Sequence, residues 1–211
     1  MLPHALVSGI EAGLANANFA DVTDWVDAIK AVKSEEEIAL TRRCTAMQDK
    51  VFKKVLDVIE PGMRDVDVTA AAQAEGQRLG SEQGIFLGAS SKVGVRSPFA
   101  PRYMQGRKLQ KGDHLSLLIE NNGPGGFYAE IARTIVLGKA SQELKDGFAA
   151  VKAAQDYTLS LIKPGADPAE IHAAHNVYMK KHGMPPEMRI YAHGQGYDMV
   201  ERPLIRNDET M

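Results

Sequence analysis

The sequence predicts an α+β fold of two pseudo-twofold-related halves, with a central antiparallel sheet flanked by helices. Two observations carry this. The first is a β-hairpin over residues 113–138. Apolar runs at 115–119 and 127–137 flank Asn121-Asn122-Gly123-Pro124-Gly125-Gly126. Short apolar runs between polar residues read as buried strands. Gly and Asn accept positive φ and Pro blocks a ladder bond, so the centre is a turn. The second is a repeat. Ile59-Glu60-Pro61-Gly62-Met63 returns as Ile162-Lys163-Pro164-Gly165-Ala166, an offset of 103 residues (61 to 164). At that offset Val68 meets Ile171, Ala71 meets Ala174 and Gly80 meets Gly183. Each half reads helix, Pro-Gly break, helix, glycine stop, strand, which points to an internal duplication. A ligand site commonly lies between such halves.

The elements follow in order. Residues 1–20 are weakly patterned, and 21–32 read as a short helix or ordered connector containing Trp25. Ser34-Glu35-Glu36-Glu37 has the S-x-x-E form of a capping box, ahead of a helix running to about Val58 with Ile38, Met47, Val51 and Val55 along one stripe. Asp65 or Asp67 is the expected cap of a second helix, stopped by Gly80. Residues 84–94 read as a glycine-punctuated loop with a short apolar run at 85–87, and 96–111 as basic and irregular. Ser141 caps a long helix to about Ile162. Asp167-Pro168-Ala169-Glu170 supplies an N-cap, a proline in the first turn and an acidic third position for a helix to His182, which Gly183 stops. A strand over 189–192 then leads to His193-Gly194-Gln195-Gly196.

Composition narrows the function classes. With 211 residues, the chain is one large domain or two small ones with enough apolar content for a core. Its 25 basic residues against 27 acidic ones leave a net charge of −2 and no basic footprint, so nucleic acid is not an expected partner. Cys44 is the only cysteine. It forms no internal disulfide, suits a reducing compartment and reads as a packing residue of its helix. No apolar run approaches the ~18 residues of a membrane span. The first residues lack the basic start and long apolar core of a signal peptide, so a cytoplasmic location is expected.

Two carboxylates, Glu120 and Glu130, stand near the turn in otherwise apolar strands, where a charge needs a partner or a role. Local pairing of Glu130 with Arg102 or Arg107 is the structural alternative. Arg133, three residues beyond Glu130, falls on the opposite strand face by period-2 alternation. His193 precedes Gly-x-Gly with no helix predicted after it, so a nucleotide loop is not expected. A turn histidine satisfied by backbone is the alternative there. His172 and His175 lie at i, i+3 on a helix with no third ligand nearby, which reads as a packed or solvated face. Asp198, Glu201 and Arg202 read as a solvent-exposed charged loop.

The segments KSEEEIALTRRC, IEPGM, KGDHL, FYAEIARTIVLG, IKPGA and HGQGYDMVERP, in this order and spacing, resemble the creatinase, aminopeptidase P and prolidase family, which has the pita-bread fold. The similarity covers about residues 30–211. It implies two α+β halves curved around a central site. It also implies metal chemistry: the family's peptidases hold two ions, usually manganese, cobalt or zinc, with two Asp, one His and two Glu, and cleave amide bonds, often next to proline. The creatinase branch cleaves a C–N bond without metal. Carried onto this sequence, Glu130 falls on the second metal-binding Asp, three before the Arg of Arg133-Thr134, and His193 on the metal-binding His. The first Asp falls, without gaps, on Ile119. Glu120 is one place off, and a bulge is needed to return it to the same face. Val200 replaces a second His, an upstream His expected between Ser97 and Tyr103 is absent, and the two Glu ligands and last strands lie beyond residue 211. Residues 1–33 then correspond to a linker or the remnant of an N-terminal domain, and 34–211 to an incomplete pita-bread catalytic domain.

The expectations are therefore specific. Glu130 and His193 form a catalytic pair and hold at most one divalent ion (Mn, Co or Zn), weakly or not at all; a dinuclear centre, with its four to five ligands, is not expected. Arg133 and Arg202 bind a substrate carboxylate. The substrate is a small molecule or short peptide with an amide or other C–N bond. A metal-free creatinase-like enzyme and a non-catalytic binding or dimerising module are the alternatives. A sheet that ends near His193 leaves an unpaired edge, so a homodimer is expected.

Overall fold

The computed structural model describes residues 3–208. In chain order the elements are α1 (His4–Gly13), α2 (Thr23–Ala31), α3 (Glu35–Val58), α4 (Asp65–Arg78), β1 (Gly84–Ser91), a 3-10 turn (Arg102–Met104), β2 (His114–Asn122), β3 (Tyr128–Val136), α5 (Gln142–Leu161), α6 (Pro168–Lys181), β4 (Ala192–Gly194) and β5 (Glu201–Ile205). Strands β1, β2 and β3 form an antiparallel sheet in that order; β4 and β5 form a separate antiparallel pair. No helix among the described residues is long and apolar enough to cross a membrane.

The helix starts follow from their caps. Ser34 Oγ accepts the Glu37 N–H at 3.3 Å while the Glu37 carboxylate accepts the Ser34 N–H at 2.7 Å, closing the capping box of α3. Ser141 Oγ accepts from Leu144 at the start of α5, and Asp167 from Ala169 and Glu170 at the start of α6. At α4 the cap differs from expectation. Arg64 occupies the N-cap, and Asp67, at the third helical position, accepts its backbone N–H. Asp65 instead turns inward and accepts the Ser90 N–H.

The repeat survives in the backbone. Helices α3 and α5 end at Val58 and Leu161, and α4 and α6 run from 65 to 78 and from 168 to 181, every boundary shifted by the same 103 residues. Gly62 and Gly165 of the two Pro-Gly breaks share left-handed φ of 99° and 79°, which side chains other than glycine resist.

One face of the β1–β2–β3 sheet is covered. Val51, Val55, Val68 and Ala72 of α3 and α4 pack on Phe86, Leu115, Leu117, Ile119 and Ile135. Gln48 of α3 stitches the hairpin from the same side, donating to the carbonyls of Ile119 and Ala129. The opposite face, carrying Leu87, Leu118, Glu120 and Glu130, is only partly covered.

Three expectations about strands also change. The run at 85–87 is the middle of a full strand, β1. The strand predicted at 189–192 begins only at Ala192. The charged segment after Gly196 contains β5, which the alternation rule missed because Pro203 interrupts it.

Candidate functional site

The hairpin positions two carboxylates. Strands β2 and β3 pair without interruption from His114↔Val136 to Asn122↔Tyr128, and Glu120 sits directly opposite Glu130. Directly opposed residues project to one face. No bulge is therefore needed to bring Glu120 beside Glu130, which corrects the expectation that a one-residue slip turns it away. Counting residues without a gap misplaces the face, because the turn at 123–127 and not the residue count sets the pairing. Ile119, the position the gapless count selects, points the other way and is fully buried in the α3–α4 core.

Across the open face stands the β4–β5 hairpin. His193 Nε2 lies 3.9 Å from Glu130 Oε2, and His193 Nδ1 lies 2.8 Å from the Gly194 carbonyl. A carbonyl only accepts, so Nδ1 carries a proton and the Nε2 edge faces Glu130. Gln195 donates its side-chain amide to Glu120 Oε1 at 2.7 Å and to the Met199 carbonyl at 3.2 Å. Glu120 is 6% exposed. Burial pushes its carboxyl above the ordinary range and the neighbouring Glu130 charge adds to this, while the Gln195 hydrogen bond and His193 pull it down. Beside them, Tyr128 donates its hydroxyl to Gln83 Oε1 at 3.0 Å and its backbone N–H to the Gly196 carbonyl at 2.7 Å.

The other residues singled out in the sequence lie elsewhere. The Arg133 guanidinium donates to the Ala132 carbonyl on the side of β3 away from Glu130. Arg202 faces Asp24 and Asp27 of α2, 3.7 Å from each. Arg107, a candidate partner for Glu130, binds Asp113 at 2.6 Å instead. Glu201 corrects the reading of a solvated loop: its side chain is 3% exposed and held by Lys33 at 2.6 Å. His172 and His175 are buried between α5 and α6, His175 Nδ1 lying 2.8 Å from Thr158 Oγ1, so theirs is a packed face. Cys44 is buried, with its thiol directed at the Asn121 carbonyl; burial pushes its pKa up to about 11.

A cleft of about 810 Å³ opens at the far end of the same sheet, lined by His114, Thr134, Val136, Leu144, Phe148 and Val151 among others. None of Glu120, Glu130, His193 and Gln195 lines it. The acid–base groups therefore define the candidate site, and the cleft is at most a neighbouring surface.

Glu130 and His193 are the metal-type donors that the described residues bring together at this site, 3.9 Å apart. Two ions about 3.5–4 Å apart need bridging carboxylates to offset their repulsion. Among the described residues, no three His, Cys, Asp or Glu side chains gather as ligands, and Val200 is apolar.

Comparison with known proteins agrees with this architecture. An uncharacterized hydrolase/peptidase of Sinorhizobium fredii is 28% identical over 194 residues, covering 89% of this chain and 49% of its own. The Xaa-Pro dipeptidase of Pyrococcus furiosus is 23% identical over 214 residues, covering all of this chain and 60% of its own. The chain thus spans about half to three-fifths of the length of these relatives. Among solved structures, the X-Pro aminopeptidase of Thermotoga maritima superposes with a TM-score of 0.82 at 20% identity, over 98% of this chain and 58% of its own. At that identity the likeness establishes the fold, the α+β pita-bread fold. The model of metallopeptidase family M24 matches residues 39–211, and the chain belongs to that family.

Proposed function

We propose that this chain acts as a hydrolase on an amide or other C–N bond of a small molecule or short peptide, with His193, Glu130 and Glu120 as its reacting groups. One observation carries the reading: His193 Nε2 meets Glu130 at 3.9 Å on the face where Glu120 lies opposite Glu130. With Nδ1 committed to the Gly194 carbonyl, neutral His193 keeps its lone pair on Nε2. There it takes a proton from water or substrate, and Glu130 stabilises the resulting imidazolium. Glu120, its carboxyl raised by burial, is the group suited to returning a proton to the leaving nitrogen. Two ionisable groups with such different surroundings divide the acid and base roles. Arg202 is proposed to bind a substrate carboxylate; Arg133, on the side of β3 away from Glu130, is not placed to share that role. For Arg202 this means exchanging its ion pairs with Asp24 and Asp27.

The family is one of metallopeptidases, and Glu130 with His193 supplies donors for at most one divalent ion (Mn, Co or Zn). A metal-free, creatinase-like reaction is the second reading, supported by the approach of His193 Nε2 to Glu130, a pair able to move a proton without a metal. A cytoplasmic homodimer is the proposed working form, with residues 1–33 as linker or N-terminal remnant. Two measurements test the proposal: elemental analysis of the purified protein, and turnover of Xaa-Pro dipeptides and N-substituted amino acids. Turnover lost in His193→Ala and in Glu130→Gln, by the 10²–10⁴-fold that general acid–base groups contribute, is the expected result. About two metal equivalents per chain, abolished by His193→Ala, overturns the one-ion assignment. No turnover of any substrate in the panel leaves the binding or dimerising module as the reading that stands.

A further inference from the structure

The loop that carries Gln195 is tied to a segment 168 residues earlier in the chain. Glu201, 3% exposed in its side chain, accepts from Lys33 Nζ at 2.6 Å through Oε2; through Oε1 it accepts the Asp198 N–H at 3.0 Å and faces Lys30 at 3.6 Å. Lys30 also binds Asp198. Gly196 lies against this pair. A Cβ there would stand 2.8 Å from Glu201 Oε2 and 3.1 Å from Lys33 Cε, so the loop backbone packs directly against the ion pair. The residue before it, Gln195, reaches across to Glu120. Lys33 is itself fixed, because it precedes Ser34, whose capping box starts α3.

We propose that Lys33, acting through Glu201, is a positioning residue that holds Gln195 in its hydrogen bond to Glu120. The proposal rests on the reading of Glu120 and His193 as reacting groups. Its geometric chain is continuous: the α3 cap places Lys33, Lys33 holds Glu201, Glu201 accepts the Asp198 N–H, the Asp198 carbonyl accepts the Gly196 N–H at 3.2 Å, and that backbone aims Gln195. Removing one member of a largely buried ion pair leaves the other charge unpaired, so the loop is expected to shift toward solvent and release the Gln195 amide.

The Gln195 side-chain amide is the reporter. Held between a carboxylate and a carbonyl, its ¹H–¹⁵N resonances should stand apart from those of exposed glutamines and exchange slowly; Gln195→Ala assigns them by their disappearance. In Lys33→Met and in Glu201→Gln these resonances should move into the exposed-glutamine envelope, while the backbone amides of Leu117 and Ile119 keep their shifts. Lys33→Arg should restore them. Turnover should fall in Lys33→Met as much as in Gln195→Ala, by up to ~100-fold for a displaced reacting group, and the double variant should lose no more than Gln195→Ala alone. Gln195 resonances unchanged in Lys33→Met overturn the proposal. So does unfolding of both Lys33→Met and Glu201→Gln, which makes the pair a folding element, and so does a double variant with additive losses. The amide reporter needs no substrate, so this result stands or falls separately from the hydrolase reading.

Discussion

Replacing Ile119 by Asp restores the family residue at the position that a gapless count selects, and the structure says it will fail. Ile119 is 0% exposed and lies in the cluster formed by Val51, Val55, Val68 and Leu117. Taking a full isoleucine side chain out of that core costs about 1.5–3 kcal/mol. An unpaired carboxylate left in its place adds several kcal/mol more. The total reaches or passes about 5 kcal/mol, the lower end of the stability of a typical domain. Guanidinium unfolding followed by circular dichroism should therefore show no cooperative native baseline for Ile119→Asp, while Ile119→Val, with one methylene fewer, should cost about 0.5–1.5 kcal/mol. Glu120→Asp keeps a carboxylate on the site face and should fold normally. Suppose instead that Ile119→Asp unfolds cooperatively within about 1 kcal/mol of the parent and gains manganese by elemental analysis. Residue 119 would then face the site, and the pairing of Glu120 with Glu130 would be wrong.

In Gly123→Ala a new Cβ would sit 2.9 Å from Cys44 Cβ and 3.0 Å from its Cα, so thermal unfolding should show a loss of about 1–3 kcal/mol. Burial holds the His175 imidazole below its ordinary range, with Glu187 opposing and His172 assisting. The unfolded chain then binds the extra proton first, so stability should be full above the ordinary histidine pKa and fall as the pH drops below it; His175→Gln should flatten that part of the acid-unfolding profile. Light scattering at micromolar concentration should give the mass of two chains, and a monomer mass would count against edge-to-edge association of the sheet.

Local signals in the sequence located helices α3 to α6 with little error, but not α1, which lies in a stretch read as weakly patterned. Ser34, Ser141 and Asp167 cap where their side-chain chemistry says they should, and the Pro-Gly pairs break the helices at matching points. The site was legible only in part. Glu130 and His193 stand on separate elements yet meet, as their family positions imply. Glu120 was misplaced because the face of a strand residue is decided by cross-strand pairing, which local composition does not reveal. The burial of Glu201 was hidden for a related reason: its partner Lys33 is far away in sequence, and a charged stretch taken alone reads as solvated. β5 was missed because Pro203 and two charges break the alternation that marks strands.

The main apolar cluster draws all its buried members from residues 51–137; none comes from α5, α6, β4 or β5. Cooperative stability follows such clusters, and parts of a fold outside them open at lower free energy. The two carboxylates stand on strands anchored in that cluster, whereas His193 and Gln195 are held by the fewer ties of the β4–β5 hairpin. In hydrogen-exchange experiments the amides of β2 should outlast those of β4 by a wide margin. On that ordering, assembly of the site, more than the integrity of the fold, is the quantity that temperature or denaturant would erode first.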